Sequence, residues 1–212
     1  MKTIRTLASA HTRRAVKAVV GQLGIMNIGR ALIAAKREAG RTGVTTGQWF
    51  HPSLWKVLGS REAVIDGDRR ISFAEFGDRV MRTTHALHEL GLRPGDSCAV
   101  LMYNGATWFL INQACNISGF KMPMLNWHLN PNELVHCVNI SRAKVLVIDP
   151  EFCAAVQEVR QQLRVDHIVV AGDGAIPADM AGLELLIARA EPKLYPGKFR
   201  ISSKAYSGGT TG

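Results

Sequence analysis

The C-terminal tip of the chain, residues 206–212, combines three glycines with three hydroxyl side chains besides its tyrosine. Glycine lets backbone N–H groups approach an anion without obstruction by a Cβ atom, and hydroxyls add donors that can turn toward phosphate oxygens or a metal ion. The pattern predicts a loop that binds the phosphates of a nucleotide. The same residue types also compose flexible tails, so the preceding elements have to decide between the two. The loop comprises Tyr206, Ser207, Gly208, Gly209, Thr210, Thr211 and Gly212.

Two histidines and four cysteines are further candidates for chemistry. His85 and His88 fall on one predicted helix at a spacing that could clamp a metal ion, but no carboxylate or third ligand accompanies them, and we expect them to be packed or solvated. The cysteines form no Cys-x-x-Cys pair, so neither a zinc site nor a redox pair is indicated. They predict small core residues and a reducing compartment, the cytoplasm. They are Cys98, Cys115, Cys137 and Cys153.

Strand and helix signals alternate along the middle of the chain. Short β-prone pieces on either side of the turn 66–68 predict a hairpin. Ser72 and Glu75 match a capping box for a helix that ends at Gly91, and Asn130 caps a later helix that contains Pro131 and Glu133. Strands are predicted at 98–102, 122–125, 144–148 and 167–170, and further helices at 106–117, 149–163 and 183–190.

This alternation implies right-handed crossovers and an α/β fold with an open, mostly parallel, doubly wound sheet. Such sheets bind ligands beyond the carboxyl ends of their strands. A strand-like segment, 204–206, leads into the glycine- and hydroxyl-rich loop. The loop is therefore expected at the edge of the sheet where ligands bind.

Most of the formal charge of +9 lies in the first 50 residues, which hold nine Lys or Arg against one acid. Residues 51–212 hold 17 bases and 16 acids and are nearly neutral. They provide no basic face for DNA or RNA, so no nucleic-acid partner is expected.

Residues 1–45 are predicted to form a basic helical extension, and residues 46–212 a separate domain. The longest uncharged run of the extension, between Lys17 and Arg30, has twelve residues, well short of the roughly 20 that span a bilayer. Peripheral docking on a membrane surface and packing on the body of the protein both remain open, as does an organelle transit peptide. Apolar residues recur among the bases at roughly helical spacing: Val16, Val19, Val20, Leu23, Met26, Ile28, Leu32 and Ile33.

The terminal loop resembles the phosphate loop of the adenylate-forming enzymes, the superfamily of acyl-CoA synthetases, luciferases and peptide-synthetase adenylation domains. The usual pattern is an aromatic residue, Thr or Ser, Ser or Gly, and then Gly-Thr-Thr-Gly. The chain matches it with Ser207 where Thr is usual and Gly208 where Ser is usual. Segments 71–75 and 92–104 resemble a helix entry and the next turn and strand of this superfamily, and segment 119–134 is similar to fatty acyl-CoA synthetases. The resemblance covers residues 55–212.

The resemblance implies a fatty-acid–CoA ligase that uses ATP, Mg²⁺ and CoA. A fatty acid or other carboxylic acid attacks the α-phosphate to give an acyl adenylate and pyrophosphate, and the CoA thiol then displaces AMP. Pyrophosphate leaves readily only when its developing charge is neutralised. By the resemblance, Gly209 and Gly212 permit backbone contact, Thr210 and Thr211 cover the β- and γ-phosphates, and Ser207 meets Mg²⁺.

By the same resemblance, the family's loop lysine, adenine-binding aromatic motif, ribose-binding aspartate and C-terminal lysine follow residue 212. We therefore expect 46–212 to be an incomplete AMP-binding domain, with no catalytic residue of its own and no ligation by the chain alone. Two alternatives remain open. One is another adenylate-forming branch, an acyl-AMP ligase or an amino-acid adenylation domain. The other is a non-catalytic remnant that binds a membrane or a partner.

Overall fold

A computed structural model describes residues 24–172 and 174–195 as helices packed around a parallel sheet. A two-stranded antiparallel hairpin precedes the sheet in the chain. The elements in chain order are α1 (Ile25–Thr42), α2 (Thr46–Leu58), β1 (Glu62–Asp66), β2 (Arg69–Ser72), α3 (Phe73–Glu89), β3 (Ser97–Leu101), α4 (Ala106–Ser118), α5 (Pro131–Ser141), β4 (Ala143–Ile148), α6 (Cys153–Glu158), β5 (His167–Val170), β6 (Ala181–Gly182) and α7 (Leu183–Arg189).

The main sheet has four parallel strands in the order β3, β4, β5 and β6. Alternate residues of one strand enter different cores: Val145 and Val147 pack with α3, α4 and α7, whereas Leu146 and Ile148 pack with α5 and α6. Helices thus cover both faces, which explains why the strands read as continuous apolar runs. The predicted α/β fold with a parallel, doubly wound sheet is confirmed.

The predicted strand at 122–125 is only partly formed. Its segment lies beside β3 and makes two isolated parallel bridges, Ser97 to Lys121 and Val100 to Met124. Proline has no N–H to donate, and accordingly Pro123 only accepts, through its carbonyl oxygen, from the N–H of Val100 at 2.9 Å. The segment covers part of the outer edge of β3 without becoming a full strand.

The helix predicted at 149–163 is broken into a 3₁₀ turn, the short helix α6 and a second 3₁₀ turn, Arg160–Gln162. Asn139 of α5 explains the end of this segment. Its Nδ2 atom donates to the carbonyl of Gln162 at 3.0 Å, and its Oδ1 atom accepts from the N–H of Arg164 at 2.8 Å. These bonds occupy backbone groups that a continuing helix would need.

The predicted helix starts are largely confirmed. Asn130 and Glu133 form a reciprocal capping box at the start of α5. At the start of α3 only half of the predicted box is present, in which the Ser72 hydroxyl accepts from the N–H of Glu75 at 3.2 Å. Each bond satisfies a backbone donor that the first helical turn leaves open.

Three helices, α1, α2 and α3, pack in series on the side of the hairpin. Ala31 and Ala35 are the fully buried residues of α1, and Ala31 packs with Leu54 and Leu58 of α2. Farther along, a Cβ atom at Gly77 of α3 would approach Trp55 of α2 to 2.9 Å. Small residues therefore set how closely these helices approach. Within the described residues, no helix combines the length and apolar character needed to cross a bilayer.

Candidate nucleotide-binding site

The predicted phosphate loop, including Ser207, Gly208, Gly209, Thr210, Thr211 and Gly212, lies outside the described residues. The structure describes the chain up to Tyr195, eleven residues before the loop begins at Tyr206. What it shows of the candidate site is the segment 190–195, which leads toward the loop, and the carboxyl ends of the parallel strands.

The approach segment 190–195 is fastened to α3. Arg82 donates from Nη1 to the carbonyl of Ala190 at 2.6 Å, and the N–H of Glu191 donates to Nδ1 of His85 at 2.7 Å. The ring of His88 stacks on Tyr195 with centroids 3.4 Å apart and planes 3° from parallel. These three contacts come from residues spaced three apart on one face of α3, so the helix holds the segment along two of its turns.

One further contact reaches the same segment, and another holds the helix that precedes it. Gln48 of α2 donates from Nε2 to the carbonyl of Tyr195 at 3.3 Å. Arg79 of α3 forms two hydrogen bonds to Glu184 of α7, at 2.6 and 3.0 Å. Because α7 immediately precedes the approach segment, α2, α3 and α7 together fix its path.

The protonation states in this cluster follow from the geometry. Since Nδ1 of His85 accepts a backbone N–H, the proton of the neutral ring is on Nε2, which faces Glu89 at 3.5 Å. Partial burial and, after it, the charge of Arg93 lower the pKa of His88. Partial burial and the nearby carboxylate of Glu89 raise the pKa of Tyr195. Both stacked rings are therefore neutral near pH 7.

His85 and His88 were expected to be packed or solvated, and both rings contact the approach segment. Neither side chain belongs to a group of three or more potential ligands, and none of the residues that the structure describes forms such a group. Sequence reasoning missed the role that the pair has in holding the approach segment. The signal in the sequence was the spacing of three residues between His85 and His88. The same spacing separates Arg82 from His85, so all three side chains lie on one face of the helix.

The carboxyl ends of β3 and β4 carry an ordered polar contact and aromatic side chains. Asp149, directly after β4, accepts the N–H of Tyr103 at 2.7 Å. Partial burial, with a smaller effect of Glu151, raises the pKa of Asp149, although the Tyr103 bond opposes this shift. The Tyr103 ring contacts Trp127 and Phe152 at centroid distances of 5.3 and 5.2 Å. This is the edge at which open parallel sheets bind ligands.

A groove of about 860 Å³ lies between α1, α2 and α3, and Pro192 of the approach segment also lines it. Trp49, Trp55 and Met81 contribute apolar surface to it, and Arg37 and Lys56 contribute charge. Its lining includes no residue of the parallel sheet. Its position therefore differs from that of the candidate ligand-binding edge at the carboxyl ends of the strands.

Comparison with known proteins identifies the family. A model of the AMP-binding enzyme family matches residues 55–212, and the chain belongs to this family. The chain is 31% identical over 144 residues to the long-chain-fatty-acid–CoA ligase of Thermus thermophilus, an alignment that covers 68% of the chain and 26% of that ligase. It is 32% identical over 152 residues to the 3-methylmercaptopropionyl-CoA ligase of Ruegeria lacuscaerulensis, covering 68% of the chain and 28% of that protein.

Solved structures agree with this assignment. The crystal structure of an anthranilate CoA ligase in complex with anthranoyl-AMP superposes with a TM-score of 0.66 at 25% identity, covering 76% of this chain and 33% of that one. The chain thus spans about a quarter to a third of the length of these relatives. The chain is a member of the adenylate-forming superfamily, in its acyl-CoA synthetase branch.

Proposed function

We propose that the protein is an ATP-dependent fatty-acid–CoA ligase, in which residues 46–212 contribute the first part of the AMP-binding domain. The observation that carries the proposal is the family match, which runs through residue 212 and so includes the sequence Ser-Gly-Gly-Thr-Thr-Gly. The fastening of segment 190–195 to α3 supports it, because a phosphate loop requires a fixed approach if its donors are to be preorganised.

In this proposal the loop neutralises the charge that develops on pyrophosphate. Backbone N–H groups at Gly208, Gly209 and Gly212 face the phosphates, and the hydroxyls of Thr210 and Thr211 donate to β- and γ-phosphate oxygens. The hydroxyl of Ser207 lies next to Mg²⁺. CoA is the acyl acceptor of the second step.

The choice of a fatty acid as the substrate is the most specific part of the proposal. A long-chain-fatty-acid–CoA ligase and rat long-chain fatty acid transport protein 2, 33% identical over 104 residues, favour it. Other relatives are named for 3-methylmercaptopropionate and anthranilate. The competing function is a different adenylate-forming branch, an acyl-AMP ligase or an amino-acid adenylation domain.

We further propose a cytoplasmic location with peripheral membrane contact through residues 1–45. Cys98 and Cys115 are buried, and all four cysteines are free thiols, which suits a reducing compartment. Residues 1–23 lie outside the described residues, and α1 is the part of the extension that the structure describes.

Hydroxylamine trapping and CoA consumption distinguish the candidate functions. Fatty acids of graded length, aromatic acids and amino acids would be offered with ATP and Mg²⁺ to the 212-residue chain and to the whole product of its reading frame. We expect the whole product to yield fatty acyl hydroxamate, and to form fatty acyl-CoA when CoA is added. Because the chain covers only about a quarter to a third of its relatives, we expect no turnover from the 212 residues alone.

Thr210→Val and Thr211→Val test the loop in the whole product. Loss of a hydroxyl that contacts the transition state should lower kcat/KM about 10²-fold, whereas Ser60→Ala, in the exposed turn before β1, should leave it unchanged. Formation of acyl hydroxamate without acyl-CoA would favour an acyl-AMP ligase. Amino-acid hydroxamates would favour an amino-acid adenylation domain, and equal activity of the loop and control variants would contradict the site.

A further inference from the structure

Helix α1 has an unusual distribution of side-chain sizes. Its two fully buried residues, Ala31 and Ala35, are small, and Ala31 packs with Leu54 and Leu58 of α2. Its large apolar residues point to solvent: Ile25 and Met26 are each 74% exposed, and Ile33 is 72% exposed. A helix stabilised only by packing on the body would bury such side chains, since each is worth about 1.5–3 kcal/mol when removed from water.

The rest of the outer face of α1 is cationic. In α1, which is described over its full length, every exposed residue is apolar, glycine or basic, and none is acidic. With roughly 3.6 residues per turn, Met26 and Ile33 lie near the middle of this face, and the basic residues flank them. The outer face of α1 consists of Ile25, Met26, Arg30, Leu32, Ile33, Lys36, Arg37, Gly40 and Arg41.

Most of these charges are available to a partner. The acid of the helix, Glu38, pairs with Arg41 at 2.7 Å and neutralises that guanidinium. Arg30, Lys36 and Arg37 form no ion pair within the described part of the chain. The preceding 24 residues of the sequence add five Lys or Arg and no acid. Any surface that covers the outer face must therefore be both apolar and anionic.

We propose that the outer face of α1 docks on an anionic lipid bilayer, with Met26 and Ile33 inserted between lipid headgroups and Arg30, Lys36 and Arg37 next to the lipid phosphates. A helix that binds at an interface buries an apolar stripe at the headgroup level, and the basic residues beside the stripe extend their long side chains to the headgroups. A second copy of the chain is disfavoured, since it would bring the same positive face opposite this one.

The inference deepens the peripheral contact proposed above and does not depend on the ligase reaction. The outer face belongs to a helix that contacts α2 and contains no residue of the parallel sheet, so docking here would not use residues of the sheet. Vesicle binding is measured without ATP, acid or CoA, so failure of one proposal is distinguishable from failure of the other.

Co-sedimentation of the 212-residue chain with phosphatidylcholine vesicles, with and without phosphatidylglycerol, tests the proposal. We expect binding to the anionic vesicles that weakens in high salt, and much weaker binding to the neutral ones. This comparison needs no substitution. Equal binding to both vesicle types, or no binding to either, would overturn the proposal, and the second result would favour an acidic protein as the partner.

Substitutions on the outer face of α1 test whether this face contacts the bilayer. Removing two cations with Arg30→Gln and Arg37→Gln should lower the partition coefficient about 25-fold, at about fivefold for each charge near the surface. Met26→Glu and Ile33→Glu should each lower it on the order of tenfold or more. All four side chains are exposed, and circular dichroism would verify that the variants remain folded.

The matched controls make the same changes elsewhere. Arg164→Gln with Arg189→Gln removes two exposed cations, and Ile140→Glu changes a half-exposed apolar residue of α5. Binding should be retained in both controls, apart from the small effect of net charge. If the controls lose as much binding as the α1 variants, attraction would be a property of the whole molecule, and the assignment to the outer face would be wrong.

Discussion

At the scale of single residues, His85 connects the helical side of the protein to the segment that leads toward the phosphate loop. The bond from the N–H of Glu191 to its Nδ1 atom is 2.7 Å long. We expect His85→Ala to speed hydrogen exchange of the Glu191 amide about fivefold, since a hydrogen bond contributes about 1 kcal/mol. His136→Ala, at an exposed histidine of α5, is the control. Unchanged exchange in His85→Ala would show that the other contacts suffice.

The raised pKa of Asp149 leads to a prediction about how stability depends on pH. Burial raises its pKa above the ordinary value of 3.8, so ionisation of Asp149 opposes folding and its contribution to stability falls as the pH rises above this value. Asp149→Asn keeps an oxygen for the Tyr103 N–H without the charge. We expect it to be at least as stable as the wild type at neutral pH and to lose any advantage below pH 3.8.

Asp149→Ala, which also lacks the acceptor, should lose about 1 kcal/mol at both pH values. Urea unfolding of the three proteins at neutral and acidic pH measures these differences. The interpretation would fail if Asp149→Asn were clearly less stable than the wild type at neutral pH.

Residue types alone predicted part of this local chemistry. The histidine pair was expected to be packed or solvated, and both rings pack on the segment 190–195. Their contacts with 190–195 could not be predicted, since they join positions that are 106 residues apart, as in the bond between His85 and Glu191. Such pairings depend on the tertiary fold.

At the scale of elements, the approach of α2 to α3 depends on a missing side chain. A Cβ atom at Gly77 would lie 2.9 Å from the Cβ atom of Trp55, close to the helix backbone where neither atom can rotate away. We expect Gly77→Ala to lower the free energy of unfolding by about 1–3 kcal/mol, because the overpacking outweighs the better helix propensity of alanine.

Gly40→Ala in α1 is the matched control, because no atom lies within 4 Å of a Cβ placed there. This substitution should raise the free energy of unfolding by about 0.5–1 kcal/mol through helix propensity alone. Thermal or urea unfolding measures both variants. Stabilisation by Gly77→Ala would mean that the two helices can separate at little cost.

Local patterns predicted the elements that are long and strongly apolar. The strands at 98–102, 144–148 and 167–170 match β3, β4 and β5 within one residue at each end. The weaker predictions failed where a distant group competes for the backbone, as Asn139 does at the end of the 149–163 segment. Strand β6 was missed because its two residues carry no periodic signal.

At the scale of the whole molecule, the excess positive charge and the hydrophobic core lie in different parts of the chain. The near-neutral part of the chain forms the two-sided core, and the basic part contributes α1. The difference in charge between the two parts follows from the sequence by counting alone. The positions of the large apolar residues on α1 required the structure, because the sequence gives a helical spacing without stating which face contacts α2.

Helix α3 touches α2 through Gly77 and the approach segment through Arg82, His85 and His88. Helix α3 therefore contacts both α2 and the approach segment. A mutation that shifts α3 would disturb both contacts, so its effect on the proposed membrane docking could not be separated from its effect on the proposed nucleotide binding. Genetic dissection should therefore leave α3 intact and make its changes on the solvent side of α1 or within the terminal loop.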